Sequence, residues 1–201
     1  MKKIIFLLII ITPLISFAQQ PKMNLKLIGG TNSNSYVYKV EDVKSDFFLG
    51  WQLGAGVRVI KRKAFVEFDG VFQNYGTSVN LFEDSILNLD GQLDIRIRAL
   101  EFPFTMGYVP VKTPFLKWFL YGGLVNKFSL NGRYTFLGEE GKFKPGDLDL
   151  HFYNLSARFG TQVDVAMFNF DFNYNIGVTN GIKNKARTNI HNLQFSVGLL
   201  F

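Results

Sequence analysis

Few side chains in this chain are placed to do covalent chemistry. His151 and His191 are the two histidines, and there is no cysteine. Neither histidine has a partner at metal-ligand spacing, so no metal site is assigned. His151-Phe-Tyr153 and His191-Asn-Leu193 offer no serine-type nucleophile, and Asp149 is the one carboxylate placed to orient His151. A hydrolase site acting on lipid or peptide is therefore the weakest of the functions these residues suggest, and no catalytic residue is assigned. Leu53-Gly-Ala-Gly-Val-Arg58 echoes a dinucleotide-binding loop but lacks the third glycine and the helix that must follow, so no cofactor is expected. A different pattern holds for Arg58, Glu67, Asp69, Glu101, Arg158, Asp164 and Asp171. Each falls on the polar parity of an alternating segment. Acids and bases so placed predict ion pairing on one shared face, not turnover.

The elements that carry them read as strands. In Phe168–Thr179, Phe168, Phe170, Phe172, Tyr174, Ile176 and Val178 alternate with Asn169, Asp171, Asn173, Asn175, Gly177 and Thr179. Strand side chains alternate faces with period two, whereas a helix would smear this pattern around its surface. The same alternation predicts eight strands, at about 24–31, 48–60, 64–75, 93–108, 116–130, 150–165, 168–179 and the carboxyl-terminal segment. The facing of the fifth is open, because Trp118, Leu120 and Leu124 are as apolar as Phe119, Tyr121 and Val125. Short connections near 61–63, 109–115 and 166–167 alternate with long polar ones near 32–47, 76–92, 131–149 and 180–189. Short turns at one end and long loops at the other are the pattern of an up-and-down transmembrane β-barrel.

A soluble barrel also alternates, with its apolar residues inside. Size separates the two cases. An eight-stranded barrel is just wide enough for side chains to fill. The aromatic rows of this chain, which has 22 phenylalanines, would overfill it. Glycines and paired polar groups fit, so the predicted fold is an inverted all-β, eight-stranded antiparallel barrel with aromatics facing lipid. Its interior is expected to be a plug of salt bridges. The alternative is a polar permeation path, which would make the protein a small transporter or channel.

The ends of the chain agree with that placement. Lys2 and Lys3, the apolar run Ile4–Ile11 and the small-x-small site Ser16-Phe-Ala18 predict a signal peptide over 1–18, leaving a barrel domain over 19–201. Losing the two lysines lowers the formal charge from +6 to +4. Basic runs are too short to suggest nucleic acid. The final strand, Leu193–Phe201, alternates to its last residue, and Phe201 is expected to act as a terminal signal to the barrel-assembly machinery. Arg96 and Arg98 extend the apolar face of the fourth strand, so that strand is expected to project beyond the bilayer. With Lys183, Lys185 and Arg187 they are expected to meet the phosphates of outer-leaflet lipopolysaccharide.

Leu100-Glu101-Phe102-Pro103, Gly122-Gly123, Phe172-Asn-Tyr-Asn-Ile-Gly177 and Ser196-Val-Gly-Leu-Leu-Phe201, in that order and spacing, resemble the Bacteroidota outer-membrane β-barrel family often called PorT-like. The resemblance covers most of the chain after the signal. It implies an eight-stranded barrel in the cell outer membrane. Because the family's name-giving member is tied to type IX secretion, it also implies a non-enzymatic structural or interaction role, with envelope or secretion proteins as partners. It supplies no catalytic motif to map.

Overall fold

The computed structural model describes residues 21–37, 45–46, 48–80, 92–136, 139–144, 152–179 and 189–201. Ten strands follow one another: β1 (Lys22–Val37), β2 (Ser45–Asp46), β3 (Phe48–Lys61), β4 (Ala64–Asn80), β5 (Gln92–Lys112), β6 (Leu116–Phe136), β7 (Glu139–Phe143), β8 (Tyr153–Val165), β9 (Phe168–Gly177) and β10 (Asn189–Leu200). Eight of them close a barrel. Each pairs antiparallel with the next barrel strand along the chain, β4 with β5 included, and β10 returns to β1 from Lys26↔Leu200 to Val37↔Asn189. The two remaining strands are short. β2 pairs with the end of β4, and β7 occupies the place beside β6 that β8 leaves free. The signal segment, His151, Asp149, Lys183, Lys185 and Arg187 lie outside the described residues.

The alternation faces as the composition demands. On β9, Phe168, Phe170, Phe172 and Tyr174 are 38–49% exposed, while Asn169, Asp171, Asn173 and Asn175 are at most 5% exposed. β10 repeats this, with Leu193, Phe195, Val197 and Leu199 outward and Asn192, Gln194 and Ser196 buried. The strand whose facing was open resolves with Trp118, Leu120 and Leu124 outward and Phe119, Tyr121 and Val125 buried.

One irregularity in the ladders has a sequence cause. Pro103 has no N–H to give. The β4–β5 ladder skips from Phe68↔Phe104 to Val71↔Glu101, leaving Asp69 and Gly70 without paired residues opposite Phe102 and Pro103. On β6, Arg98 pairs with Asn131 but Ala99 pairs with Ser129, so Leu130 is a bulged extra residue. One added residue switches the parity of everything beyond it. Lys127 and Ser129 are buried below the bulge, whereas Asn131 and Arg133 are exposed above it.

The two-residue turns Arg62-Lys63 and Ala166-Met167 each place a non-glycine residue in the left-handed region, Arg62 and Ala166 both at φ 53°. A Cβ is disfavoured there. Ala166→Gly is expected to raise the unfolding midpoint, by up to about 1 kcal/mol after the added flexibility of the unfolded chain is subtracted. A lower midpoint in a urea titration would show that the turn tolerates its alanine without strain.

The interior is apolar at its two ends and polar between them. At the short-turn end Ile60, Phe65, Val109, Phe119 and Tyr121 form a buried cluster, with Phe65 and Phe119 edge to face at 5.0 Å. At the long-loop end Tyr75, Ile97, Ala99 and Phe143 form another. Sequence reasoning expected aromatics to face outward; the structure turns a few of them inward where they close the barrel.

Candidate functional site: a charged interior

All seven charged residues predicted to share the inner face are buried there, and two more cations join them, Lys26 from β1 and Lys127 from β6. They form two tiers. In the tier nearer the short turns, Arg58 is central. The register sets Arg58 opposite Glu67 across the β3–β4 hairpin, and their side chains are ion-paired. A second nitrogen of Arg58 reaches both carboxylate oxygens of Asp164 at 3.0 Å, and the third donates to Gln162. Lys26 pairs with Glu67 and lies 3.7 Å from Asp69. Asn169 donates to Asp164 at 2.7 Å, and Gln162 to Glu67 at 3.3 Å. The Arg58 guanidinium also lies 4.5 Å from the Phe119 ring centre, so the apolar end cluster is its floor.

The second tier centres on Glu101. It takes Lys127 at 2.9 Å, Arg158 at 3.1 Å and the Gln194 amide at 3.2 Å. Arg158 donates to Asn175 at 2.7 Å and to Gln194 at 3.0 Å. From Asn175 a chain of side-chain amides runs through Asn192 and Asn34 to Asn32, which donates to the Trp51 carbonyl at 3.2 Å. Lys127 lies 4.5 Å from the ring centre of Tyr75, which belongs to the upper apolar cluster. Between the tiers the Tyr121 hydroxyl donates to Asp171 at 2.6 Å.

Glycine makes room for this packing. A Cβ on Gly160 would sit 2.5 Å from the Tyr121 ring, and one on Gly56 would sit 1.7 Å from an Asp69 oxygen. Both glycines lie on the inner parity, where side chains already fill the width.

No group of three His, Cys, Asp or Glu residues among the described residues is placed to hold a metal. His191 stands on the outer parity at the long-loop end, its Nδ1 2.5 Å from the Tyr174 hydroxyl and its ring stacked on Tyr174 at 5.7 Å. The Gly54–Gly56 stretch lies within β3, its register running on into β4, and not in a loop before a helix. Arg96 and Arg98 are exposed on the outer face of β5, near the long loops. Phe201 closes the chain beside β1, exchanging two backbone hydrogen bonds with Leu25 at 3.1 and 2.9 Å.

Sequence reasoning missed Lys26, Lys127 and Tyr121. Lys26 was detectable, since it alternates with Leu25 and Leu27 in the first strand. Lys127 and Tyr121 lie in the strand whose two faces are equally apolar, so no parity signal marked them.

No protein-family model and no curated protein matches the chain. Solved structures do. Neisserial surface protein A aligns over 91% of this chain and 100% of its own at 11% identity, with a TM-score of 0.50. OprG of Pseudomonas aeruginosa aligns over 90% of this chain and 97% of its own at 17% identity and TM-score 0.44. Ail of Yersinia pestis aligns over 90% and 99% at 12% identity and TM-score 0.46. Likeness at such identities concerns the fold alone. The chain is a closed eight-stranded antiparallel barrel, as its alternation predicts.

Proposed function

We propose that this barrel is a non-enzymatic component of an outer membrane, structural or adaptor-like, whose interior is a plug and not a passage. The observation that carries the reading is the inversion itself, with bare aromatics outside and paired charges inside. Exposed patches of more than a few hundred Å² mark a lipid or partner surface. Here the apolar residues ring the barrel. On β10 the outward run from Leu193 to Phe201 spans about 27 Å of strand, or roughly 20 Å of height once tilted, close to the apolar band of an outer-membrane barrel. β5 and β6, at 21 residues each, are about twice as long as a crossing requires, so they project beyond the bilayer on the long-loop side.

A bilayer favours a barrel because every backbone group must be paired internally. The interior charges meet the same demand. Each tier has an arginine whose donors are spread over carboxylates and amides from several strands. Such a network ties opposite walls of the barrel together between the two apolar end clusters. This favours the plug over the channel.

The protein is expected to fractionate with the outer membrane and to give no stable conductance when reconstituted in planar bilayers. Reproducible open-channel steps would replace the plug with the permeation reading; recovery in the soluble periplasm would remove the membrane placement. The resemblance to PorT-like barrels supports an accessory role in protein secretion, exercised through the projecting β5–β6–β7 ribbon. Affinity capture of the full chain from native outer membrane, combined with gene deletion, tests this role. Loss of secreted proteins from the medium on deletion is expected, and an unchanged set would overturn it.

A further inference from the structure

Just beyond the apolar belt, at the long-loop end, three adjacent strands carry cations on one outer face. Arg96 on β5 is directly opposite Arg133 on β6, and Arg133 is directly opposite Lys142 on β7. Arg98 lies two residues nearer the belt on β5, and Lys144 lies one residue past the end of β7. Like charges facing each other across strands are destabilising, and here three stand in one row. The carboxylates nearest along these strands are Asp94 and Glu140. Both lie one same-face row farther out, opposite Thr135 between them. Along these strands they flank the cations on the side away from the belt.

The Leu130 bulge produces this row. Without it Arg133 would follow the parity of Lys127 and Ser129 into the barrel; with it, Arg133 turns outward. Arg98, Asn131, Arg133, Lys142 and Lys144, with Gly132 and the ring of Phe143, line an open depression of about 390 Å³. A smaller one of about 110 Å³ adjoins it between Asn74, Arg96 and Arg98. Immediately below on the same face are Leu100, Phe128 and Leu130, and Phe128 packs on Phe152 and Tyr153 at 5.7 and 5.3 Å. The depression is therefore next along the strands to the apolar residues of the belt.

We propose that this row is a binding site for the phosphates of a phosphorylated glycolipid of the outer leaflet. Guanidinium groups bind phosphate oxygens in pairs, and a lysine adds a point charge. Neighbouring strands are about 4.8 Å apart, so long cationic side chains facing each other across them can reach one phosphate. A bound phosphate would offset the repulsion within the row. The apolar face beside the row selects a lipid over a free anion, because acyl chains can lie on Leu100 and Leu130 while the phosphate meets Arg98 and Arg133. The site deepens the outer-membrane reading and rests on it; fractionation tests that placement separately, and binding in detergent does not depend on it.

The full chain in detergent, titrated with synthetic phosphorylated lipid A and with the same glycolipid stripped of phosphate, provides the test. The phosphorylated form is expected to bind at least about tenfold more tightly, the effect of one or two charge-assisted contacts. Arg133→Gln with Lys142→Gln should abolish that preference, and Lys142→Gln alone should weaken it. Lys63→Gln with Lys112→Gln, at the opposite rim, should leave it intact. Without lipid the Arg133→Gln/Lys142→Gln protein is expected to unfold at a midpoint no lower than the parent, since the repulsion within the row is gone. With phosphorylated lipid only the parent should gain stability. Equal affinity for the two glycolipids, or a preference that survives the double substitution, overturns the site. Inorganic phosphate displacing the glycolipid at equal concentration overturns its assignment to a lipid.

Discussion

Glu67→Ala is expected to destabilise the barrel by about 3–5 kcal/mol, the cost of leaving buried charge uncompensated. Glu67 serves two cations at once. Lys26 pairs with one of its oxygens and Arg58 with the other, and all three side chains are at most 1% exposed. Neither cation can turn to solvent, because Arg58 is walled by Phe65 and Phe119. Arg58 would keep Asp164, while Lys26 would be left with Asp69 at 3.7 Å. Glu67→Gln separates charge from shape, since it preserves volume and one hydrogen-bond acceptor; most of the loss should persist in it. Arg58→Met combined with Glu67→Gln should cost less than the two single changes added, with a coupling of about 1–3 kcal/mol, as befits direct contact. Urea titrations of the refolded protein in lipid vesicles measure all three. Losses that add within about 0.5 kcal/mol would show that the two side chains do not share one interaction.

This network shows how far the chain can be read without its coordinates. The barrel was legible because lipid and lumen impose opposite demands on successive residues, so Phe168 to Thr179 carries its facing in its composition. The inward charges were legible by the same parity, and so was the Arg58–Glu67 pair, which one tight turn brings together. Three features were not. The facing of β6 was hidden because its inner face is itself apolar at Phe119, Tyr121 and Val125, where the barrel is closed by packing. The Leu130 bulge has no glycine or proline to announce it, and its consequence, Arg133 turned outward beside Arg96, depends on a register set by neighbouring strands. The partnerships across the barrel within each tier, such as Arg58 with Asp164 and Arg158 with Glu101, join residues 106 and 57 positions apart. They follow from closure of the barrel, which no local pattern contains.

Phe170→Arg is expected to cost about 2–4 kcal/mol, the depth-dependent penalty for a cation near the middle of the lipid-facing surface. Phe170 is 41% exposed and stands between Val163 on β8 and Val197 on β10, with Phe168 and Phe172 on either side along its own strand. No carboxylate shares that face of β9. An arginine there must reach past the aromatic belt to find water. The same change at Tyr174, beside His191 toward the long loops, should cost less, because the headgroups are within reach of its side chain. Asn173→Ala supplies the contrast. Asn173 is 1% exposed, yet its amide oxygen has no hydrogen-bond partner among the described residues. Its truncation loses little and should cost well under the Phe170 change. A water-soluble barrel would rank them in reverse, since Phe→Arg on a wet surface is neutral or favourable while removing a buried side chain leaves a void. Refolding into vesicles across a urea series gives the ranking directly. Phe170→Arg tolerated as well as Asn173→Ala would mean that the outward aromatics do not face lipid, and the membrane placement would fall with it.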